Sequence, residues 1–272
     1  LNQSGSPQIL TATYSGDGNF ASSTSDPKGQ SVFGTQIVAV NGASYTSSNL
    51  ATDSWVTIYG DNLASSQIVA STSPYPTSLS GTTVSVTDST GTQRLAPLYY
   101  VSPGQINMLM PTNTAFGLAT ITVTNANGGS ASSITLVTRT APGLFSANAS
   151  GAGVAAALVQ RVRPDGSQAI ENVASFDGNT NALVPVPITI GSDSLYLQLY
   201  GTGIRYVSGL SKVTCTIGGQ NATVLYAGAA PGFSGLDQVN VQIPAALAGA
   251  GSVNVVVTVD GQASNTVTLT FK

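Results

Sequence analysis

The sequence predicts an all-β chain: two tandem antiparallel β-sandwiches, over residues 37–139 and 140–272, preceded by a strand or hairpin segment over residues 1–36. Three observations carry that expectation. Short runs alternate apolar and polar residues with period two, no stretch of useful length shows the 3.6-residue period of a helix, and one turn-plus-strand unit occurs twice. Its first copy is Tyr99-Tyr-Val-Ser-Pro-Gly-Gln-Ile-Asn-Met-Leu-Met-Pro111 and its second runs from Tyr226 to Pro244, with Gln238, Asn240 and Pro244 falling on Gln105, Asn107 and Pro111 at a constant offset of 133. In both, Pro-Gly makes the turn because proline fixes φ and glycine accepts positive φ, and the closing proline ends pairing because it has no N–H to donate.

The first segment holds Gln8-Ile-Leu-Thr-Ala-Thr-Tyr14, a period-two strand that places Leu10, Ala12 and Tyr14 on one face, then the turn Ser15-Gly-Asp-Gly-Asn19, a short strand signal and the polar run Ala21–Ser25. Two strands are not a domain, because an isolated hairpin is marginal in water. The expectation is that the segment either ends an upstream domain or docks elsewhere. In the latter case Leu10, Ala12 and Tyr14 are the candidate donor-strand residues, completing a sheet in a neighbouring copy by strand addition.

From Gln36 the strand pattern is continuous. Ile37–Val40 is followed by an Asn41-Gly42 turn, Trp55–Tyr59 ends at Gly60, Thr82–Thr87 alternates cleanly into the turn Asp88–Gly91, and Leu95–Val101 leads into the first repeat unit. Ala119–Thr124, the turn Asn125–Gly129 and Ser133–Thr138 complete about seven short strands, the number a sandwich needs. The second unit repeats the order: Leu195–Gly203 matches Val56–Asn62 with Tyr200-Gly201 over Tyr59-Gly60, Thr214–Tyr226 corresponds to Thr83–Tyr100, and Val253–Val259 with Thr266–Phe271 closes it. Ala156–Arg163 is read as one arm of a hairpin turning at Pro164-Asp-Gly166.

These motifs carry two resemblances. The words around Thr11–Ser25 resemble the last two strands of a family of bacterial extracellular immunoglobulin-like repeats. Asn41-Gly-Ala-Ser44, Ile58–Leu63, Tyr100–Asn107, Ala141-Pro-Gly-Leu-Phe145 and Ala230–Asn240, in that order, resemble a family of uncharacterised bacterial secreted proteins across residues 37–272. The hallmark of that family is a C-terminal pair of immunoglobulin-like sandwiches of the IPT/TIG type, so the resemblance implies that fold and an extracellular or cell-surface location, and it transfers no catalytic residue. The loop near Arg205 is shorter than the family's proline-rich excursion.

Composition narrows function mainly by exclusion. Of the 272 residues 42% are hydrophobic but only 7% are charged, against roughly 25% in an ordinary soluble domain. The polar surface therefore comes from Ser, Thr, Asn, Gln and Gly, which suits contact with copies of the same chain, a saccharide coat or a cell envelope. A net charge of −3 with eight scattered basic residues leaves nothing to neutralise a run of phosphates, so nucleic acid is not an expected partner. No apolar run approaches the roughly 20 residues of a membrane span. The first residue is Leu1 with no secretory leader before it, and the expectation is a mature or trimmed product.

The absence of histidine removes Ser-His-Asp and Cys-His nucleophile systems and the usual zinc sites. With Glu171 the single glutamate, a glycosidase needs two of the ten aspartates facing each other about 5 to 10 Å apart, yet these aspartates stand mostly in turn sequences where the carboxylate bonds its own backbone. Loop carboxylates near Asp17 or Asp177 are the candidates for calcium, though no D-x-D-x-D-G series occurs. No cofactor is expected. Cys215 stands alone and is read as a small buried hydrophobe, Ser25–Lys28 matches S-x-x-K without its companion motifs, and Lys28, Lys212 and Lys272 are the only lysines open to an intramolecular Lys–Asn crosslink. Asn2, Asn148 and Asn221 begin N-glycosylation patterns.

Trp55, Tyr59, Tyr99, Tyr100, Tyr196, Tyr200 and Tyr226 can either fill the cores or stack on sugars, and their parity on the strands is read as core-facing. The expected role is a non-enzymatic extracellular structural protein, a tandem subunit of a stalk, coat or filament with copies of itself as partners; the alternative is a carbohydrate-binding or adhesive module with a polysaccharide as partner.

Overall fold

The computed structural model describes residues 8–30 and 36–272, with strands making up 50% and helix 2%. The chain is an all-β assembly of immunoglobulin-like antiparallel sandwiches.

In the first sandwich one sheet runs, in hydrogen-bonded order, Val38–Asn41, Trp55–Tyr59, Gln105–Leu109, Leu98–Val101 and Ile68–Val69. The facing sheet runs Gln93–Leu95, Thr82–Thr87, Gly117–Thr124, Ser130–Thr138 and Leu50–Ala51, with Ser78–Leu79 added on Thr82–Thr87. Pairing is antiparallel except between Ser130–Thr138 and Leu50–Ala51. Val56, Ile58, Ile106 and Met108 from one sheet meet Val84, Val86, Ile121 and Val123 from the other, all buried, as strict alternation demands of a two-layer core.

The second sandwich has its own core, with Leu197, Leu199, Val239 and Val241 against Cys215, Val255, Val257 and Leu269. Its strands form one continuous path from Gln168–Asn172 through Ala157–Val162, Ser194–Thr202, Asp237–Gln242, Gln220–Ala229 and Val213–Ile217 to Gly251–Val259, which Val267–Phe271 also pairs. The ten residues Gln220–Ala229 belong to both layers: their start pairs with Val213–Ile217 and the remainder with Asp237–Gln242.

Turn chemistry follows the sequence closely. At Asp88, Asn125 and Arg163 the first residue's N–H bonds the carbonyl four residues on, and Gly91, Gly128 or Gly166 closes the turn at φ of 81°, 79° or 84°. The hairpin expected at Pro164-Asp-Gly166 thus forms, joining Ala157–Val162 to Gln168–Asn172.

Residues 8–30 form a two-stranded ribbon. Gln8–Leu10 pairs with Lys28–Gln30 and Thr13–Tyr14 with Ser23–Thr24, so the candidate donor strand is already paired along one edge within its own chain. Its period-two run is also interrupted at Thr11 and Ala12. Pro27 stands opposite Thr11 with no N–H to give, and Ser25 fills the gap: its hydroxyl accepts from Ala12 N at 3.0 Å and its N–H donates to Ala12 O at 2.8 Å. Leu10 and Tyr14 are 44% and 43% exposed, and Ala12 is exposed as well. Asn2 and its glycosylation pattern lie outside the described residues.

Candidate functional site

The two sandwiches meet through polar bonds built on glycine-rich turns. Asn41, fully buried at the end of Val38–Asn41, donates from Nδ2 to Ala141 O at 2.8 Å and accepts at Oδ1 from Ala43 N and Ser44 N. Trp55 N donates to Thr202 Oγ1 at 2.8 Å, and the same hydroxyl donates to Gly235 O at 2.8 Å. Asn49 Nδ2 donates to Gln262 Oε1 at 2.6 Å, Tyr45 OH to Ala149 O at 2.8 Å, and Tyr206 OH to Asp53 Oδ2. The hydrogen bond to the Asp53 carboxylate raises the Tyr206 phenol above its ordinary range.

These contacts require backbone to approach closely. A Cβ on Gly143 falls 2.3 Å from Asn41 Oδ1, and one on Gly235 falls 2.3 Å from Leu109 Cδ2. Asp237 anchors the loop behind the junction. Fully buried, it accepts from Ile204 N at 2.6 Å and from Arg205 Nε at 2.7 Å. Burial pushes its carboxyl upward while Arg205 and the backbone donors oppose that shift.

Beside this junction lies a cleft of about 240 Å³ lined by Gly42, Trp55, Thr57, Tyr99, Asn107 and Phe145. Trp55, Thr57, Tyr99 and Asn107 stand on the outer face of the first sheet, Val56 and Ile58 pointing into the core and so Trp55 and Thr57 away from it, while Gly42 follows its first strand and Phe145 lies beyond it. Tyr99 is the extra residue of a β-bulge, since Leu98 pairs with Met108 but Tyr100 with Asn107. Trp55, Tyr75 and Tyr99 form a triad with centroid separations of 5.7, 5.6 and 5.4 Å and tilted to edge-on planes.

The aromatic expectation is thereby corrected. Trp55, Tyr100, Tyr196 and Tyr200 are half-buried, and Tyr59, Tyr99 and Tyr226 are exposed; none fills a core. Beside each of them except Tyr226, a Val, Ile or Leu one position away occupies the interior, and the rings take the outer face. Tyr75 and Phe145 were not among the aromatics singled out. Pro74-Tyr-Pro76 carries no periodic signal, and Ala141–Phe145 stood out only as a motif, without indicating that Phe145 closes a cleft.

Other candidates are placed apart. Leu10 and Tyr14 lie on the ribbon. Asp17 Oδ1 accepts from Asn19 N and Phe20 N, Asp165 Oδ1 from Ser167 N, and Asp177 Oδ1 from Asn179 N, so these carboxylates are engaged in their own turns; each is held below the usual carboxylate range, Asp17 chiefly by the Tyr14 phenol and then by those backbone donors, Asp165 by the Ser167 side chain and N–H, and Asp177 by the Asn179 N–H and the Thr180 hydroxyl. Among the described residues no three His, Cys, Asp or Glu side chains converge as a metal site. Lys28, Lys212 and Lys272 are all exposed, which removes the buried lysine that a Lys–Asn crosslink needs. Cys215 is buried in the second core. Among the described residues no helix is long and apolar enough to cross a membrane.

No curated protein matches the chain. The family model described as the IPT/TIG domain, an immunoglobulin-like fold, matches residues 183–272, which include every strand of the second sandwich from Ser194–Thr202 onward and exclude the hairpin Ala157–Asn172.

Proposed function

We propose that the chain is a non-enzymatic, extracellular structural unit, a tandem immunoglobulin-like segment of a surface stalk, coat or filament. The observation that carries this reading is the junction itself. Buried bonds from Asn41 and Thr202, at glycines where an added Cβ meets its neighbours closely, tie the two sandwiches to each other directly and not only through the connecting chain. A subunit that transmits load or sets spacing needs that property. The sparse charge, 7% of residues, suits a body that lies against its own copies, and domains of this immunoglobulin-like kind are generally non-catalytic.

The ribbon at residues 8–30 supplies the contact between subunits in this reading. Two strands alone are marginal in water, and this pair exposes Ile9, Leu10, Tyr14 and Phe20. Seating its free edge on a sheet of the next copy buries those side chains and satisfies its backbone, and a head-to-tail contact of that kind propagates as a fibre. Electron microscopy of the full chain and of a chain lacking residues 1–30 tests this. The expected result is linear polymers from the first and single particles from the second. Polymers from the shortened chain refute strand addition, and monomers from the full chain at all concentrations refute the filament.

A further inference from the structure

We propose that the junction cleft binds one ring of an uncharged polysaccharide, and that an equivalent cleft on the second sandwich binds another ring of the same ligand. The second cleft, also about 240 Å³, is lined by Gln160, Tyr196, Gln198, Leu225, Tyr226 and Asn240. Five of the six lining positions correspond, Phe145 in the first and Tyr226 in the second being unmatched. Trp55 pairs across the sheet with Leu109 and Tyr196 with Gln242; Thr57 pairs with Asn107 and Gln198 with Asn240. Gly42 N donates to Trp55 O, and Gln160 pairs with Tyr196. The bulge is repeated too: Val224 pairs with Val241 and Tyr226 with Asn240, leaving Leu225 where the first sandwich has Tyr99. Both clefts carry the same strand-internal bond, Gln105 Nε2 to Asn107 Oδ1 at 2.9 Å and Gln238 Nε2 to Asn240 Oδ1 at 2.7 Å.

Core packing does not account for this duplication, since the cores are filled by residues of the opposite parity. Neither lining holds a carboxylate, ammonium or guanidinium, which disfavours an ionic ligand and fits a neutral one. At about 240 Å³ each cleft is smaller than the roughly 300–1,000 Å³ that encloses a drug-sized molecule, a size suited to one unit of a chain. The lining is amphipathic in the way a sugar ring is. Trp55, Tyr99 and Phe145 offer apolar faces, while Thr57 Oγ1 and Asn107 Nδ2 make no hydrogen bond among the described residues and remain open to hydroxyls.

The second cleft adds the amides of Gln198 and Gln160 to that of Asn240; Gln198 makes no side-chain bond among the described residues, whereas Gln160 Nε2 already donates to Gln168 Oε1 at 2.8 Å. A proline-rich peptide, the other ligand that aromatic clefts take, offers carbonyl acceptors but few donors and leaves those acceptor oxygens unmatched. Two clefts engaging one polymer raise its apparent affinity over that of a short fragment. The first, lined by the rings of Trp55, Tyr99 and Phe145, is the stronger of the two.

Trp55 is the chain's single tryptophan, so its emission reports on the first cleft directly. The experiment titrates the full chain with hydroxyethyl cellulose, a galactomannan and dextran, with polygalacturonate and a proline decamer as counter-probes. Trp55 emission is followed alongside retardation in native gels containing each polymer. Binding of at least one neutral polymer is expected, with a shift in Trp55 emission. Tyr99→Ala weakens it roughly tenfold, the scale of one lost aromatic contact. Tyr99→Phe retains it, and Asn240→Ala lowers retardation by the polymer without altering the response to a trisaccharide. Tyr99 makes no side-chain bond among the described residues, and wild-type thermal melting of Tyr99→Ala confirms that it folds. Failure of all three neutral polymers, equal binding by Tyr99→Ala, binding only to polygalacturonate, or preference for the proline decamer each overturns the proposal. None of these outcomes bears on whether the chain polymerises.

Discussion

Thr202 Oγ1 accepts the Trp55 N–H at 2.8 Å and donates its own O–H to Gly235 O at 2.8 Å, so one fully buried hydroxyl joins strands of both sandwiches. Thr202→Val keeps the β-branched shape and removes the hydroxyl, stranding a donor and an acceptor that were satisfied. The expected loss is about 1–3 kcal/mol in denaturant unfolding, the cost of orphaned buried polar groups. It is accompanied by greater motion between the sandwiches in small-angle scattering. An unchanged midpoint and an unchanged scattering profile contradict the account of the junction.

Gly143→Ala tests the same junction from the steric side. The new methyl meets Asn41 Oδ1 at 2.3 Å, and Asn41 is held by three hydrogen bonds, so something must shift. A loss of about 1–3 kcal/mol is expected, as for overpacking a filled interior. Gly178→Ala, where a methyl meets nothing within 4 Å, is the matched control and stays within about 0.5 kcal/mol of wild type. Equal stability of the two variants argues against the close approach.

Acid sensitivity is expected at Asp88. Its carboxylate accepts from the Thr90 hydroxyl at 2.6 Å, from Ala115 N at 3.1 Å and from Arg94 at 2.5 Å, and these bonds hold it far below the usual carboxylate range. A group depressed in the folded state stabilises above its unfolded pKa of about 3.9 and loses that contribution as pH falls below it. Asp88→Asn is therefore less stable than wild type at neutral pH, with a gap that narrows between about pH 5 and pH 2. A gap that stays constant over that range sinks the assignment.

Cys215 is expected to resist thiol reagents in the folded protein. Burial pushes its thiol up to about 12, so almost no thiolate exists near neutrality. Iodoacetamide labelling, followed by mass, proceeds only once guanidinium unfolds the second sandwich. Rapid labelling of the native chain at pH 7.5 contradicts the buried placement.

The repeated Gln-x-Asn strands and the turns at Asp88, Asn125 and Pro164 are legible in sequence because local chemistry decides them: positive φ at one glycine, side-chain bonds within the turn, alternation of Val and Ile. The side on which the tyrosines stand was not. Parity says only that Trp55 and Tyr59 share a face and Val56 and Ile58 the other, and assigning the aromatics to the interior overlooked that the smaller aliphatic set already fills it. The clefts stayed hidden for a different reason. Tyr99 reaches the outer face through a bulge, Phe145 arrives from the connection between sandwiches, and Tyr75 from a loop, and none of these approaches has a period. The ribbon was visible as a strand, but its break at Thr11 depended on Pro27, sixteen residues away.

The strand Gln220–Ala229, common to both layers of the second sandwich, carries a mechanical consequence. Its layers cannot be pulled apart without bending or breaking a covalent backbone, whereas those of the first sandwich form two separate sheets. Under tension along the chain the first sandwich is the fuse and the second the anchor. Stretched in an optical trap, a single molecule should lengthen first by the contour of residues 37–139 and only at higher force by the remainder.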